Sequence, residues 1–408
     1  METRKTKGLE IAKTSRITKT EKGWEVPSQS GHGNYLVQSD GFGALCNCPD
    51  YITRNCKCKH IFAVEFIVTQ EIDNKGNMTT QVIKKTYAQN WSSYDEASIH
   101  QKEIFLKLLS EITNVNNPDY KFGRPTLSMS DMLYASILKV FTTFSLRRFM
   151  SDVQIAQEKG YVETKPCYAS IGHFMQRKDI TSLLSEMVTL TSLPLRNIEK
   201  DFAIDSTGFG TSNFQRWFSF KHGKELSSKK WVKCHAMIGT KTNIVTSVKI
   251  TSEFEHDSPQ LKELVEKTSE NFDMKEVSCD KGYASRDNHE IIAEHGAVPF
   301  IPFKSNVTGK SRGNSLMWKK MYHYFALRND EFMQHYHKRS NSETSFFMIK
   351  SKFGDSVRSK TWNAQVNEVL CKVICHNICC VIQEMHELGV VPNFCVESNP
   401  SVYNVRVN

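Results

Sequence analysis

No apolar run in this chain approaches membrane-spanning length, and its first residues are polar and basic without the apolar core that directs export. A cytoplasmic chain with no membrane partner is therefore expected. An acidic excess is missing as well: Lys plus Arg outnumber Asp plus Glu by 53 to 44, a modest balance whose distribution matters more than its total for a polyanionic partner. Residues 1–22 lack any apolar period and carry seven Lys or Arg against three acids. They are expected to form a basic, mobile arm that serves either DNA phosphate or solubility. What is present suits two or three globular domains, since 39% of the 408 residues are hydrophobic and 24% charged. The 12 Cys, in a reducing compartment, point to metal ligation or burial rather than disulfides.

From Trp24, short strand-like pieces (GWEVPS, NYLVQS, GALCNC) lead into CNCPDYITRNCKCKHIFAVEF. There Cys46, Cys48, Cys58 and His60 offer three thiolates and an imidazole to one tetrahedral, structural Zn²⁺, with Cys56 as a fifth candidate. The arrangement C-x-C, nine residues, C-x-H resembles the SWIM zinc finger, including Pro49-Asp50-Tyr51 after the second Cys and Lys59-His60-Ile61 opening a helix. That resemblance assigns the third thiolate to Cys58 and leaves Cys56 out. A small zinc-binding ββα domain over residues 23–67 is expected, its partner being DNA or protein. Residues 68–95 read as a polar linker with room for one short strand. Residues 96–198 read as helical, with a break near Phe144-Ser145.

Two carboxylates then stand at strand ends, Asp205 in FAIDSTGFG and Asp280 in EVSCDKGYAS. In HYHKRSNSETSFFMIKSKFG, from His335 to Gly354, the residues Tyr336, Arg339, Glu343 and Lys350 fall within an arc of roughly 60° if the stretch is one helix. Three gathered carboxylates repel one another unless divalent cations neutralise them, and paired metals on carboxylates suit in-line attack on phosphodiesters.

The spacing Tyr336-x2-Arg339-x3-Glu343-x6-Lys350 resembles, without a gap, the YREK signature of DDE transposases encoded by bacterial and archaeal insertion sequences. The resemblance covers roughly residues 120 to 385. It implies a mixed α+β fold with an RNase H-like five-stranded mixed sheet and flanking helices over residues 199–388, followed by a tail at 389–408. The first and fourth strands are then central neighbours, which brings Asp205 and Asp280 together with Glu343 closing the site. It implies two Mg²⁺ (or Mn²⁺) ions on these three residues and a homodimer in the DNA complex. The chemistry implied is cleavage at terminal inverted repeats followed by joining to target DNA. The helical segment resembles the helix-turn-helix region that precedes such cores, while its composition also permits a plain bundle.

By the same resemblance Arg339 and Lys350 hold phosphates, and Tyr336 stacks on a base or binds phosphate; Tyr336 and Lys350 can equally serve helix packing. The stretch from Lys304 to Arg328 carries six Lys or Arg and no acid, interleaved with aromatics. Lys319 and Lys320 are candidates for DNA backbone and Trp318 for a flipped base, although the large β insertion of relatives that flip a base does not fit here. A second basic patch runs from Arg216 to Lys233, and Asp257 reads as a helix N-cap. Cys371, Cys375 and Cys379, four apart near His376, read as a buried helix stripe. Two other readings remain: a domesticated, non-cleaving DNA-binding protein, which has no need of all five site residues, and a nuclease or resolvase, against which the YREK spacing argues.

Overall fold

The computed structural model describes residues 2–394 except 21, 30, 32, 40–43, 55, 73–77, 83–89, 118–126, 212–230, 305–306 and 308–314. The chain divides into two compact units, Met1–Asn90 and Trp91–Asn408. Most of the basic patch from Arg216, most of the loop after Lys304 and the final tail lie outside the described residues.

In the first unit, strands β1 (Thr18–Thr20), β2 (Gly23–Pro27), β3 (Asn34–Ser39) and β4 (Ala44–Cys46) form an antiparallel sheet in sequential order. Helices α2 (Pro49–Arg54) and α3 (Lys59–Ile67) follow, then a hairpin of β5 (Val68–Ile72) and β6 (Met78–Val82). The expected linker thus contains two paired strands. The expected mobile arm is instead a helix, α1 (Glu2–Thr14), packed on α3. Gly8 lets the two helices approach closely, since a Cβ there would lie 2.6 Å from the Cβ of Phe62. Ile11 is buried beside Val26 and Ile61, and Arg4 reaches Asp50 at 2.9 Å. Two or three contact residues suffice for docking, too few to produce a visible apolar period.

In the second unit, α4 (Trp91–Ile112), α5 (Met129–Thr142), α6 (Leu146–Glu158), α7 (Tyr168–Phe174) and α8 (Ile180–Ser192) precede the main sheet. Its strands are β7 (Asp201–Gly210), β8 (Trp231–Gly239), β9 (Val245–Ser252), β10 (Glu276–Cys279) and β11 (Val298–Phe300), in the order β11-β10-β7-β8-β9. β10 runs parallel to both β7 and β11, whereas β8 and β9 are antiparallel. The five-stranded mixed sheet with β7 and β10 as neighbours is the one expected. Around it lie α9 (Leu261–Ser269), α10 (Arg286–Glu294), α11 (Leu316–Leu327), α12 (Asn329–Tyr336), α13 (Ser340–Phe353) and α14 (Trp362–Glu387).

Strand alternation decides which helices cover which face. Phe202 and Ile204 of β7 pack with Leu261, Leu264 and Val265 of α9 and Ile292 of α10. The odd-numbered residues from Asp201 to Phe209 point the other way, and Phe209 joins a core built with α4, α5, α8, α13 and α14. The helical segment and the sheet therefore share one core, and no boundary separates them near residue 198. The apolar faces of α4, α5 and α8 meet α14 from the far end of the sequence, a pairing that helical periodicity cannot reveal.

Helix α14 is long and apolar enough to cross a membrane by length and composition, contrary to the expectation that no run approaches that length, but 94% of its apolar window is buried inside the protein. It is the central core helix, and Cys371 and Cys375 lie within that core.

Candidate active site

The alternation of β7 places Asp201, Ala203, Asp205, Thr207 and Phe209 on one face, and that of β10 does the same for Glu276, Ser278 and the following Asp280. Both strands thus carry an acid at each end of a five-residue repeat, D-x-x-x-D and E-x-x-x-D. Since Cys279 pairs with Ile204, Asp280 lies one step beyond the last pair, beside Asp205 on a strand spaced about 4.8 Å away. The signature segment crosses this face. It is not the single helix expected: α12 ends at Tyr336, a 3-10 turn spans His337–Arg339, and α13 begins at Ser340.

This turn lays cations along the column of β7. Lys338 Nζ lies 2.7 Å from both Asp201 and Glu276, and the ring of His335 is 2.9 Å from Glu276. Burial works against the Glu276 charge, but Lys338 and His335 more than offset it and hold its pKa below the usual value. One tier up, Arg339 donates from one nitrogen to Asp205 at 2.8 Å and from another to Glu343 at 2.6 Å. Its guanidinium lies 5.9 Å from the centre of the Tyr336 ring. Asp205 also accepts from Ser342 Oγ and from the Ser206 amide, yet burial still raises its pKa. Further on, Lys350 donates to Thr207 Oγ1 at 2.6 Å beside the Phe209 ring, and burial lowers its pKa.

The structure therefore brings Asp205, Arg339 and Glu343 into direct contact, with Asp280 at the neighbouring strand end. Glu343 has a side chain 64% exposed, and Asp280 is exposed while accepting from the Lys281 amide. Neither Arg339 nor Lys350 is free, because each already serves β7. Sequence reasoning missed the lower tier of Asp201, Glu276, His335 and Lys338, although the five-residue acid repeats were there to find it.

Other candidates are placed differently. Trp318 is buried, with its ring 4.8 Å from both Phe303 and His289, so it packs in an aromatic cluster and cannot present its face to a base. Burial of an aromatic body is worth more here than the exposure its basic neighbours suggested. Lys319 and Lys320 sit beside it on α11, half-buried and exposed respectively. Asp257 occupies the N-cap position of a short 3-10 turn but accepts no capping bond; its carboxylate lies 2.7 Å from Lys233 and 3.2 Å from His235.

In the first unit, Cys46 ends β4, Cys48 precedes α2, Cys58 precedes α3 and His60 lies in its first turn. All four are buried, their ligand atoms lie within 4.8 Å of one another, and His60 Nδ1 is 3.9 Å from the sulfurs of both Cys46 and Cys58. Zn–S and Zn–N distances of about 2.3 and 2.05 Å give a tetrahedral S···N edge of roughly 3.6 Å, so the cluster could hold a metal ion with little adjustment. The Cys46 thiol hydrogen-bonds to Cys58 and lowers the pKa of the Cys58 thiol, which favours a thiolate. Cys56 stays outside, accepting from Arg4. Among the described residues this is the one His, Cys and carboxylate cluster drawn together in this way.

Residues 197–378 match the family model described as the transposase DDE domain. The match contains β7 to β11 and the whole signature segment, and it supports a DDE transposase. No solved structure matches the chain.

Proposed function

We propose that the protein is a DNA transposase of insertion-sequence type that binds the terminal inverted repeats of its element, cuts DNA there and joins the ends to target DNA. The observation that carries this reading is the meeting of Asp205, Glu343 and Arg339 on the face where Asp280 ends the adjacent parallel strand. The donor set suits Mg²⁺ or Mn²⁺: carboxylate oxygens, a pair of neighbouring strand ends and a third acid on a covering helix, with one cation already bridging two of them. Divalent cations held by Asp205, Asp280 and Glu343 would supply Lewis-acid stabilisation of the attacking and leaving oxygens.

The chain's own groups do the remaining work. Arg339 clamps the scissile phosphate through its planar fork, and Lys350 fixes a neighbouring phosphate from beside Thr207. Tyr336 backs Arg339. Lys319 and Lys320 track the DNA backbone. In the first unit Cys46, Cys48, Cys58 and His60 hold one structural Zn²⁺ in a SWIM-like module, and two protomers act together on the DNA.

The test places the native gene with its flanking DNA in a plasmid and scores Mg²⁺-dependent strand breaks at the element ends, comparing wild type with Asp205→Ala. Breaks that vanish in the variant support the reading. Sequence-specific binding to those ends without breaks, by folded and zinc-loaded protein, refutes it in favour of a non-cleaving DNA-binding protein.

A further inference from the structure

We propose that Arg339 is the resident counter-cation of the carboxylate site, and that a DNA phosphate must draw it away before a divalent cation can load. The inference rests on the metal site proposed above.

Two nitrogens of one guanidinium take two carboxylates from different elements, Asp205 of β7 and Glu343 of α13, at 2.8 and 2.6 Å. A divalent cation shared by these groups must sit about 2.1 Å from an oxygen of each, in the space that the guanidinium spans, so the two compete for one place. Like charge adds to the exclusion.

The contacts differ in strength. Asp205 has a side chain 18% exposed and is also bonded by Ser342, whereas Glu343 is 64% exposed and its pairing is screened by water. Arg339 can therefore let go of Glu343 first. What can outbid Asp205 is an anion that accepts both arms of the fork, and a phosphodiester does so. Lys338 one residue earlier is not displaced in the same exchange, because it bridges Asp201 and Glu276 one tier below and anchors the turn. The guanidinium thus swings from a fixed pivot, out of the metal position and onto the phosphate. By linkage, DNA and metal then raise each other's affinity by the same factor. Without DNA, the site stays neutralised and does not cut.

Mn²⁺ binding to full-length, zinc-loaded protein, read from loss of the free-ion electron paramagnetic resonance signal, tests this without turnover. Asp205→Asn serves as the blank, and the probe is a random-sequence DNA duplex of about 30 base pairs at low salt. Expected are weak binding by wild type alone, tightening of at least about tenfold on adding duplex, and a similar tightening in Arg339→Gln without duplex. Duplex should then change Arg339→Gln by less than about twofold. Arg339→Lys, which keeps the charge but cannot span both carboxylates, should lie between and guards against misfolding of the Gln variant. Equal Mn²⁺ affinities for wild type and both variants, with and without duplex, overturn the gate while leaving the metal site standing. No binding above the Asp205→Asn blank, even with duplex, overturns both.

Discussion

Replacing Lys338 by Met should loosen the signature segment where it crosses the sheet. The ammonium lies 2.7 Å from two carboxylates on hydrogen-bonded strands, and Glu276 pairs with Asp201 directly. Bonds to charged groups contribute about 1.5–3 kcal/mol each when shielded from water. Here the Lys338, Asp201 and Glu276 side chains are 34%, 30% and 19% exposed, so screening reduces the combined effect to about 1–2 kcal/mol. At about 2–4 °C per kcal/mol for a large domain, the melting transition of the second unit should fall by roughly 2–8 °C at pH 7. The pH dependence distinguishes this from lost packing. Glu276 has a folded pKa below its ordinary value of 4.5, so its contribution is present above that value and disappears as pH falls through the lowered one. The gap between wild type and Lys338→Met should therefore hold from pH 7 to about pH 5 and close below it. Scanning calorimetry at several pH values measures this. An unchanged transition at pH 7, or a gap that persists once the carboxylates are protonated, would refute the electrostatic account.

Other outcomes follow from the same geometry. Cys58→Ser should abolish stoichiometric zinc, measured by mass spectrometry, and make residues 24–66 sensitive to protease while the second unit keeps its melting transition; loss of both transitions would contradict two independent units. Lys372 is buried and donates to the carbonyls of Gly354 and Ser356 at 2.8 Å, which ties the end of α13 to α14. Lys372→Met should cost about 1–3 kcal/mol in chemical denaturation at neutral pH by leaving those carbonyls unpaired. Burial pulls Lys372 down to about 8 from 10.5, so the unfolded chain binds more protons between these values and this group makes the protein more stable as pH rises through them. The variant should lack that rise.

The fold class was legible because its signals are local. Short β-rich runs ending in Asp, a hairpin and amphipathic helices in a fixed order leave few topologies open, and β7 lies beside β10 as the family resemblance, rather than the order alone, implies. The gathering of Cys46, Cys48, Cys58 and His60 was equally visible in their spacing. Partners far apart in sequence were harder to read. Nothing near Arg339 shows that Asp205, 134 residues away, accepts from it. The aromatic residues around Trp318 looked like a stacking surface because aromatic interleaving is the same whether the rings face solvent or one another. The break at His337–Arg339 escaped notice because no Pro or Gly marks it; the turn is set by what its side chains bind below.

The shared core of the second unit limits how this protein can be taken apart. A chain beginning at Trp91 keeps every helix that α14 packs against, whereas one beginning at Lys200 strips α4, α5 and α8 from it and opens the centre of the core to water. The helical segment is thus scaffold for the sheet that carries Asp205, and cannot be exchanged as a free cassette. The junction near Asn90 divides parts with separate cores, so it is there that recombination could attach a different N-terminal module without rebuilding the interior.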